Sequence, residues 1–454
     1  MNVLNPITNQ TLAVIDVDTL ESVMTKLTRA KTASLGFALT SLDDRLSIIS
    51  TFKSLLLQNI DSLAIDLTNE VGKPLSESRN EINSSIAKLD YFLNEAEQIL
   101  ESKTVHTDGT TDEIIDYDPL GVICNISAWN YPYLVGFNIF IPALIAGNAV
   151  LYKPSEYASL TGQNIAKLLH EAGVPEDIFI AIYGDGIVGT YLLDLPLDGY
   201  FFTGSYQTGQ YISKRIASKL VPVGLELGGK DPLYVTDEID NIKSVAESAA
   251  SGVFYNNGQS CCSIERIYVH EKVYDEFLIH FINEVKSMKV GDPHKEETQL
   301  GAITRPNHIL FLLAQIEDAI HKGAKLECGG EQVGDGPFLA PTILTNVNHT
   351  MDIMKDESFG PVIGVMKVED DLEAKELMND TDFGLTSSVY TNNITRGKSI
   401  IKSLDTGTGY INCCDRVSPW LPWSGRRHSG IGSTLSEIGL ISFCSPRGYH
   451  IRKN

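Results

Sequence analysis

The sequence predicts an α/β protein whose parallel sheets are covered by helices on both faces. Three observations lead to this fold class: a helical amino-terminal stretch, strands that alternate with helices after residue 119, and a second α/β run after Lys230. Alternating strands and helices are typical of βαβ units. The chain of 454 residues is too long for one simple core, so two or more large domains are expected.

The elements follow in chain order. Residues 18 to 103 are predicted to be helical, because apolar residues recur at three- and four-residue steps at Leu46, Ile49, Phe52, Leu55, Leu56 and Ile60. The apolar stretch 134–151 is interrupted by Asn138, Pro142 and Asn148, which predicts a buried helix followed by a strand and not a membrane span. Short strands suited to subunit contact are expected at 104–118 and after Ile441.

The first alternating unit is predicted to have strands at 147–153, 177–183, 199–202 and 221–227, and helices at 161–172, 188–193 and 207–220. The second unit is predicted to have a helix at 241–254, a strand at 264–270, and helices at 273–288 and 309–323. The carboxyl ends of parallel strands are where doubly wound sheets bind ligands.

Charge and cysteine usage narrow the class of protein. The formal net charge of −22 repels nucleic acid and anionic membranes, so neither is expected as a partner. The seven cysteines form no C-x-x-C, which predicts neither a disulfide framework nor a metal site. The first basic residue is Lys26, so no signal peptide is expected. A reducing, cytoplasmic location follows.

The segment from Gly258 to Cys262 is a candidate for covalent catalysis. Gly258 would let the backbone approach a ligand, and two thiols follow at Cys261 and Cys262. An ionised thiol is a strong nucleophile. Most cysteines, however, are small buried hydrophobes, and the pair alone favours that interpretation.

Two further motifs would complete such a site. Glu226 ends an apolar strand beside Gly228 and Gly229, where burial would raise its pKa and make it usable as a base. Asn130 lies between rigid aromatic residues, and its amide N–H could stabilise an oxyanion.

Candidate cofactor contacts follow two predicted strands. Lys153 and Glu156 could bind the hydroxyls of a ribose, although a solvated salt pair is equally compatible with the pattern. Ser205 opens a helix and could bind phosphate, or act only as a helix cap. A G-x-G-x-x-G at residues 184–189 lacks the acid expected about 20 residues later, so its glycines could serve only close packing.

Taken together, these motifs resemble the aldehyde dehydrogenase superfamily over nearly the whole chain. They occur in the family's order and at about its spacing, at Trp129–Pro132, Lys153–Glu156, Phe202–Ser205, Leu225–Lys230, Gly258–Cys261, Glu357–Pro361 and Phe383–Leu385. The resemblance implies a Rossmann-like NAD-binding domain (1–103 and 119–228), an α/β catalytic domain (229–440) and a small β oligomerisation arm (104–118 and 441–454). It also implies a homodimer or homotetramer.

The resemblance assigns the catalytic roles to three residues. Cys261, and not Cys262, matches the nucleophile that attacks the aldehyde carbon. Asn130 matches the amide that holds the oxyanion, together with the backbone N–H of Cys261. Glu226 matches the base that activates water to hydrolyse the thioester. Acyl transfer to coenzyme A is a rival, which Glu226 disfavours, and a catalytically inactive member is another.

The resemblance also assigns the cofactor contacts, which lie at Lys153, Glu156, Gly204, Ser205, Glu357 and Phe359. Lys153 and Glu156 match contacts to the adenosine ribose. Ser205 matches a pyrophosphate contact, and Glu357 matches a contact to the nicotinamide ribose. Because a carboxylate at 156 would repel a 2′-phosphate, NAD is predicted in preference to NADP.

The departures from the family pattern concern the substrate. Trp423 and Ser424 stand where Phe and Gly are usual, Ser433-Thr434 replace an Arg-Glu pair, and Ile139 stands where many members have a lysine. An aromatic tunnel for apolar or extended aldehydes is predicted, with walls at Tyr133, Phe137, Trp420 and Trp423. Any one of these is also compatible with an ordinary core aromatic residue.

Overall fold

Two large sheets with mostly parallel strands and one three-stranded antiparallel sheet organise the protein, in a computed structural model that describes residues 1–414 and 416–453. The α-helices are α1 (Leu20–Phe37), α2 (Leu42–Val71), α3 (Leu75–Leu100), α4 (Pro132–Ile145), α5 (Ser159–Glu171), α6 (Gly186–Asp194), α7 (Tyr206–Ile216), α8 (Ile242–Phe254), α9 (Glu271–Ser287), α10 (His308–His321), α11 (Asp371–Asn379), α12 (Ile394–Lys402) and α13 (Ser436–Ile441).

The strands are β1 (Asn2–Leu4), β2 (Thr11–Val14), β3 (Lys103–Thr107), β4 (Thr111–Pro119), β5 (Val122–Ile126), β6 (Ala149–Lys153), β7 (Phe179–Ala181), β8 (Gly199–Thr203), β9 (Val223–Glu226), β10 (Asp231–Val235), β11 (Ile264–His270), β12 (Lys325–Cys328), β13 (Thr342–Thr345), β14 (Val362–Val368), β15 (Phe383–Gly384), β16 (Thr386–Tyr390), β17 (Thr408–Ile411), β18 (Arg426–Arg427), β19 (Gly430–Ile431) and β20 (Cys444–Arg452). The α/β class predicted from the sequence is confirmed, and most predicted elements lie within two residues of the observed ones.

The first large sheet has the strand order β19-β9-β8-β5-β6-β7. Its strands β5 to β9 are parallel, so their carboxyl ends, which carry Lys153, Thr203 and Glu226, meet at one edge. Helices α1 to α5 share one hydrophobic core with this sheet. The core therefore fixes the relative positions of the residues at that edge.

The second large sheet has the order β12-β13-β14-β11-β10-β16-β17, antiparallel only between β12 and β13. Its carboxy-terminal continuation returns to the first sheet, where Gly430 of β19 pairs with Glu226 of β9. This return brings the segment around Thr434 to the end of β9. The domain boundaries given above stay a prediction.

The strands β20, β4 and β3 form a third sheet, which shares no strand with the two large ones. Strands β4 and β20 pair from Thr111↔Arg452 to Pro119↔Cys444. The strands expected near 104–118 and after residue 441 are confirmed, whereas their use in subunit contact stays a prediction. Among the described residues, no helix is long and apolar enough to cross a membrane.

Candidate active site

The segment that carries Cys261 leaves α8 through a turn of left-handed backbone. Asn256, Asn257 and Gly258 have φ angles of 48°, 57° and 68°. Asparagine tolerates this region better than most residues, and glycine enters it freely. A Cβ at Gly258 would lie 2.3 Å from the carbonyl oxygen of Gly360. The close neighbour of Gly258 is therefore protein backbone, which corrects the expectation that this glycine makes room for a ligand.

Gly258→Ala is expected to lower the free energy of unfolding by about 2 kcal/mol, because it combines a strained φ with a backbone clash. Unfolding in urea measures this loss. Gly36→Ala on α1 is the matched control, since a Cβ there meets nothing within 4 Å and should stabilise by up to about 1 kcal/mol. Equal stability of Gly258→Ala and the native protein would contradict the clash.

The two adjacent cysteines differ in accessibility. Cys261 is partly exposed, whereas Cys262 is buried. Cys262 Sγ lies 3.5 Å from Ser260 Oγ and 3.6 Å from the hydroxyl of Tyr255. Its hydrogen bond with Cys261, together with burial, raises the pKa of Cys262 well above the ordinary thiol value. Cys262 is therefore the packed thiol, and Cys261 is the one that a substrate can reach.

Asn130 lies beside this segment, in the loop between β5 and α4. Its Nδ2 donates to the carbonyl oxygen of Gln259 at 3.1 Å. A side-chain amide has two N–H groups, so a second donor is available for a ligand oxygen near Cys261. The backbone carbonyl oxygen of Asn130 accepts from Lys73 Nζ at 2.6 Å and from Asn256 Nδ2 at 3.3 Å. These two hydrogen bonds hold the Asn130 loop against the left-handed turn.

Buried charged residues that sequence reasoning missed support this arrangement. Glu77 on α3 accepts from the backbone N–H of Asn256, and Glu81, one turn later, forms a 2.7 Å ion pair with Lys73. Glu81 also accepts from the backbone N–H of Tyr133 at 2.8 Å. The signal was present in the sequence, since the two glutamates lie four residues apart on the apolar face of a predicted helix.

Glu226 is the last residue of β9 and is 7% exposed. Burial raises its pKa well above the ordinary glutamate value, and hydrogen bonds from Thr434 and Trp423 oppose part of that shift. The Thr434 hydroxyl lies 3.4 Å from Glu226 Oε1. Two of the departures from the family pattern therefore contact the carboxylate that is assigned as the base.

A cleft of about 260 Å³ opens at the carboxyl ends of β5, β6 and β8. Among its walls are Lys153, Glu156 and Gly204, and Gly186 and Gly189 of the glycine motif also line it. Burial lowers the pKa of Lys153. Ser205 is exposed and caps α7, where its hydroxyl accepts from the backbone N–H of Thr208 at 3.4 Å. It is not among the residues that line the cleft.

The remaining predicted cofactor residues lie on the segment before β14. Glu357 Oε1 accepts from the backbone N–H of Gly229 at 3.0 Å, directly after the Glu226 turn. Burial, and then the charge of Glu265, raise the pKa of Glu357 to about 8. Phe359 packs edge-on against Trp129, with ring centroids 5.6 Å apart. The segment that carries Glu357 and Phe359 therefore contacts both Trp129 and Gly229, which follows β9.

The four predicted tunnel residues do not form one wall. Tyr133 and Phe137 have no exposed surface and pack among the aromatic rings of the core, because α4 turns that face inward. Trp423 is buried beside Glu226. Trp420 is 63% exposed and packs edge-on against Tyr91.

Comparisons with known proteins identify the family. The model of the aldehyde dehydrogenase family matches residues 1–447. A 4,4′-diapolycopene aldehyde oxidase of a Methylomonas species is 34% identical over 98% of this chain and 84% of its own length. A putative NADP⁺ succinate-semialdehyde dehydrogenase of Mycolicibacterium smegmatis is 34% identical over 96% of this chain and 86% of its own.

Solved structures give the same result. The betaine aldehyde dehydrogenase of Staphylococcus aureus in complex with NAD⁺ superposes with a TM-score of 0.95, at 28% identity, over 100% of this chain and 92% of that one. KauB, an aldehyde dehydrogenase of Pseudomonas aeruginosa, superposes with a TM-score of 0.97, at 30% identity, over 100% of this chain and 93% of that one. The chain therefore belongs to the aldehyde dehydrogenase family, whose members are oxidoreductases that oxidise aldehydes.

Proposed function

We propose that this protein oxidises an aldehyde to the carboxylic acid with NAD, through a covalent adduct on Cys261. The observation that carries the proposal is that three segments with reactive groups meet. Asn130 donates its side-chain amide to Gln259, two residues before the partly exposed Cys261. Gly229, three residues after the buried Glu226 with its raised pKa, lies against Cys261, since a Cβ there would be 2.6 Å from the Cys261 carbonyl oxygen. Each of the three reactive groups has the chemistry that its step requires.

The described cleft has a volume suited to the adenosine part of a dinucleotide. Lys153 and Glu156 contribute an ammonium and a carboxylate to its lining, and Gly204 lines it two residues before the start of α7. The backbone N–H groups of a helix start attract phosphate. A bound nicotinamide would supply the hydride acceptor. Glu357, which accepts from the backbone N–H of Gly229, is the residue that would orient the ring end of the cofactor. A relative solved with NAD⁺ supports the choice of cofactor.

In the first half-reaction the Cys261 thiolate attacks the carbonyl carbon, and the C=O electrons move to oxygen. Asn130 Nδ2 and the Cys261 backbone N–H donate to this oxyanion. The tetrahedral thiohemiacetal then loses hydride, and the oxyanion electrons restore C=O to give a thioester. The hydrogen bonds from Lys73 and Asn256 to the Asn130 carbonyl keep the amide in place, which limits reorganisation during the step.

In the second half-reaction Glu226 takes a proton from water as that water attacks the thioester. The C–S bond breaks, the acid leaves and the thiolate is restored. A carboxylate with a raised pKa is the stronger base for this proton. A base at this position favours hydrolysis over transfer of the acyl group to coenzyme A.

The relatives described above carry the names of three different aldehydes, 4,4′-diapolycopene aldehyde, succinate semialdehyde and betaine aldehyde, so the family chemistry tolerates different chains. Trp423 beside Glu226 and exposed Trp420 support an apolar or extended substrate.

A panel of short aliphatic, long aliphatic, aromatic and ω-carboxylated aldehydes, ranked by kcat/KM for NADH formation, tests the proposal. We expect turnover with at least one class, with the free acid as product and no acceleration by coenzyme A. Folded protein that oxidises none of these aldehydes, or that needs coenzyme A for turnover, would overturn it.

Glu156→Gln is expected to raise kcat/KM for NADP by about tenfold relative to NAD, because it removes the charge that repels a 2′-phosphate. Steady-state kinetics with each cofactor give this ratio. Glu171→Gln at the end of α5, an exposed carboxylate, is the matched control and should leave the ratio unchanged. A native preference for NADP would show that Glu156 does not have the ribose role.

We also propose that the protein is a cytoplasmic homodimer or homotetramer assembled through the β20-β4-β3 sheet. All five residues of β3 are exposed, as are all residues of β20 after Cys444, so this sheet offers a long surface. The seven cysteines, all within the described residues, are thiols and not disulfides, which suits a reducing compartment. Light scattering of the native protein and of a chain that ends at residue 443 tests the assembly, and an unchanged mass would contradict it.

A further inference from the structure

Glu265 is a buried glutamate that neither the family motifs nor the proposed mechanism uses. It is the second residue of β11, four residues after Cys261, and is 4% exposed. Its Oε2 accepts from the backbone N–H of Ser358 at 2.7 Å, and its Oε1 accepts from the backbone N–H of Phe359 at 2.8 Å. One carboxylate therefore binds the two consecutive N–H groups that follow Glu357 in the chain.

Lys230 joins the same carboxylate to the segment of the proposed base. It lies four residues after Glu226, and its Nζ donates to Glu265 Oε2 at 2.6 Å and to the Ser358 hydroxyl at 3.1 Å. Lys230 and Glu265 are both buried, and the hydrogen bonds around them satisfy the atoms that the ion pair leaves over. Glu265 is therefore bound to the segment before β14 and to the segment after β9, while its own strand follows the proposed nucleophile.

The backbone that Glu265 binds has an unfavourable conformation. Phe359 has a φ angle of 51°, in the left-handed region that residues other than glycine rarely adopt. Such a conformation persists where several contacts determine it. The Ser358 carbonyl oxygen lies 2.9 Å from Nε2 of His308 on α10, and the Phe359 ring packs against Trp129. The Glu265 carboxylate completes this set of contacts from the side of the two N–H groups.

The side chain that this backbone carries toward the site is Glu357. Its Oε1 accepts from the backbone N–H of Gly229 at 3.0 Å, and a Cβ at Gly228 would lie 2.2 Å from its Oε2. The Glu357 carboxylate therefore lies against the glycine pair. A Cβ at Gly229 would meet the Cys261 carbonyl oxygen at 2.6 Å, so the same glycine also touches the nucleophile segment. A shift of the backbone at residues 358 and 359 would move Glu357 relative to Cys261.

We propose that Glu265 is a positioning residue for the cofactor, which holds the backbone after Glu357 and so places the nicotinamide end of NAD for hydride transfer. The inference rests on the proposed function, in which Glu357 contacts the nicotinamide ribose. Glu265 is not among the residues that line the cleft suited to the adenosine part. It therefore acts on one half of the dinucleotide and not on the other.

The test compares binding of NAD with binding of ADP, which has the adenosine and pyrophosphate of NAD and lacks the nicotinamide riboside. Glu265→Gln keeps the size of the side chain and replaces one acceptor oxygen by an NH₂ group, which cannot accept from either N–H. We expect calorimetry to find the Kd for NAD raised by about tenfold, as for loss of one hydrogen bond to a charged group. The Kd for ADP should stay within about twofold of the native value.

Two further measurements follow the effect to Glu357. With an aldehyde that the native protein oxidises, the rate of the NADH burst should fall by about tenfold in Glu265→Gln, because the ring is less well placed. Glu357→Ala should also weaken NAD binding. The double variant should bind NAD no more weakly than Glu357→Ala alone, because Glu265 acts through Glu357.

Glu327→Gln is the matched control. Glu327 lies on β12 of the same sheet, forms a 2.9 Å ion pair with Lys325 and accepts from the Thr345 hydroxyl, so its loss should change neither Kd. If Glu265→Gln does not fold, Glu265→Asp carries the same test, since it keeps the charge opposite Lys230 with one methylene less to reach both N–H groups.

Folded Glu265→Gln that binds NAD as the native protein does, or that loses affinity for NAD and ADP equally, would overturn the positioning role. Unchanged NAD affinity in Glu357→Ala would instead overturn the ribose contact assigned to Glu357, and the inference with it. The two failures are distinct, because the second is observed with Glu265 in place.

Discussion

Replacing Cys261 by alanine is expected to reduce aldehyde oxidation by on the order of 10⁴-fold or more, because no thiolate remains to create the tetrahedral centre from which hydride leaves. The partly exposed position of Cys261 beside the Asn130 amide is the basis of this expectation. Initial rates of NADH formation measure the loss. Binding of NAD, followed by calorimetry, should stay within about twofold of the native value, since the adenosine cleft is not touched.

Cys262→Ala provides the matched control. The buried thiol packs against Ser260 and Tyr255, so its loss should cost about 1 kcal/mol of stability and leave the covalent chemistry in place. Substantial turnover by Cys261→Ala, or complete inactivity of Cys262→Ala alone, would show that the nucleophile is assigned to the wrong cysteine.

Glu226→Gln is expected to separate the two half-reactions. Oxidation to the thioester should proceed and give a burst of NADH close to one per active site, while hydrolysis slows by about 10²- to 10⁴-fold because no base activates water. Rapid mixing measures the burst, and mass spectrometry of quenched protein should show the acyl group on Cys261. An unchanged steady rate would count against Glu226 as the base.

The same variant changes the dependence of stability on pH. Burial raises the pKa of Glu226 in the folded protein, so the folded state holds its proton to higher pH than the unfolded state does. The free energy of unfolding therefore falls as pH rises from the ordinary glutamate range toward the raised pKa. The amide introduced by Glu226→Gln has no proton to lose in this range, so urea unfolding above it should find the variant at least as stable as the native protein. The unfolding measurement therefore distinguishes slow turnover by Glu226→Gln from a loss of folded protein.

Much of the fold could be predicted from the pattern of the chain. The alternation after residue 119 predicts β6, β8 and β9 with the helices between them, because each element is long enough to show its own periodicity. Strand β7 is shorter than predicted, at Phe179–Ala181, since the flanking residues leave the ladder. The return of β19 to pair with Glu226 has no local signal, because a two-residue strand carries no periodicity.

Some residues of the candidate site also have a local signal in the sequence, and others have none. Cys261, Glu226 and Asn130 stand in motifs that are each continuous in sequence, so their residue types can be recognised from the chain alone. The roles of Lys73 and Glu81 cannot, because each depends on a partner that is distant along the chain.

By itself, the sequence determined the α/β class, and it predicted the residues of the reaction and the preference between two adjacent thiols. Only the tertiary structure decided which thiol is accessible, that Tyr133 and Phe137 are core residues, and that Lys73 and Glu81 hold the loop that carries Asn130. The physical reason is that burial and electrostatic environment arise from contacts between segments that the core brings together, and those contacts leave no trace in local periodicity.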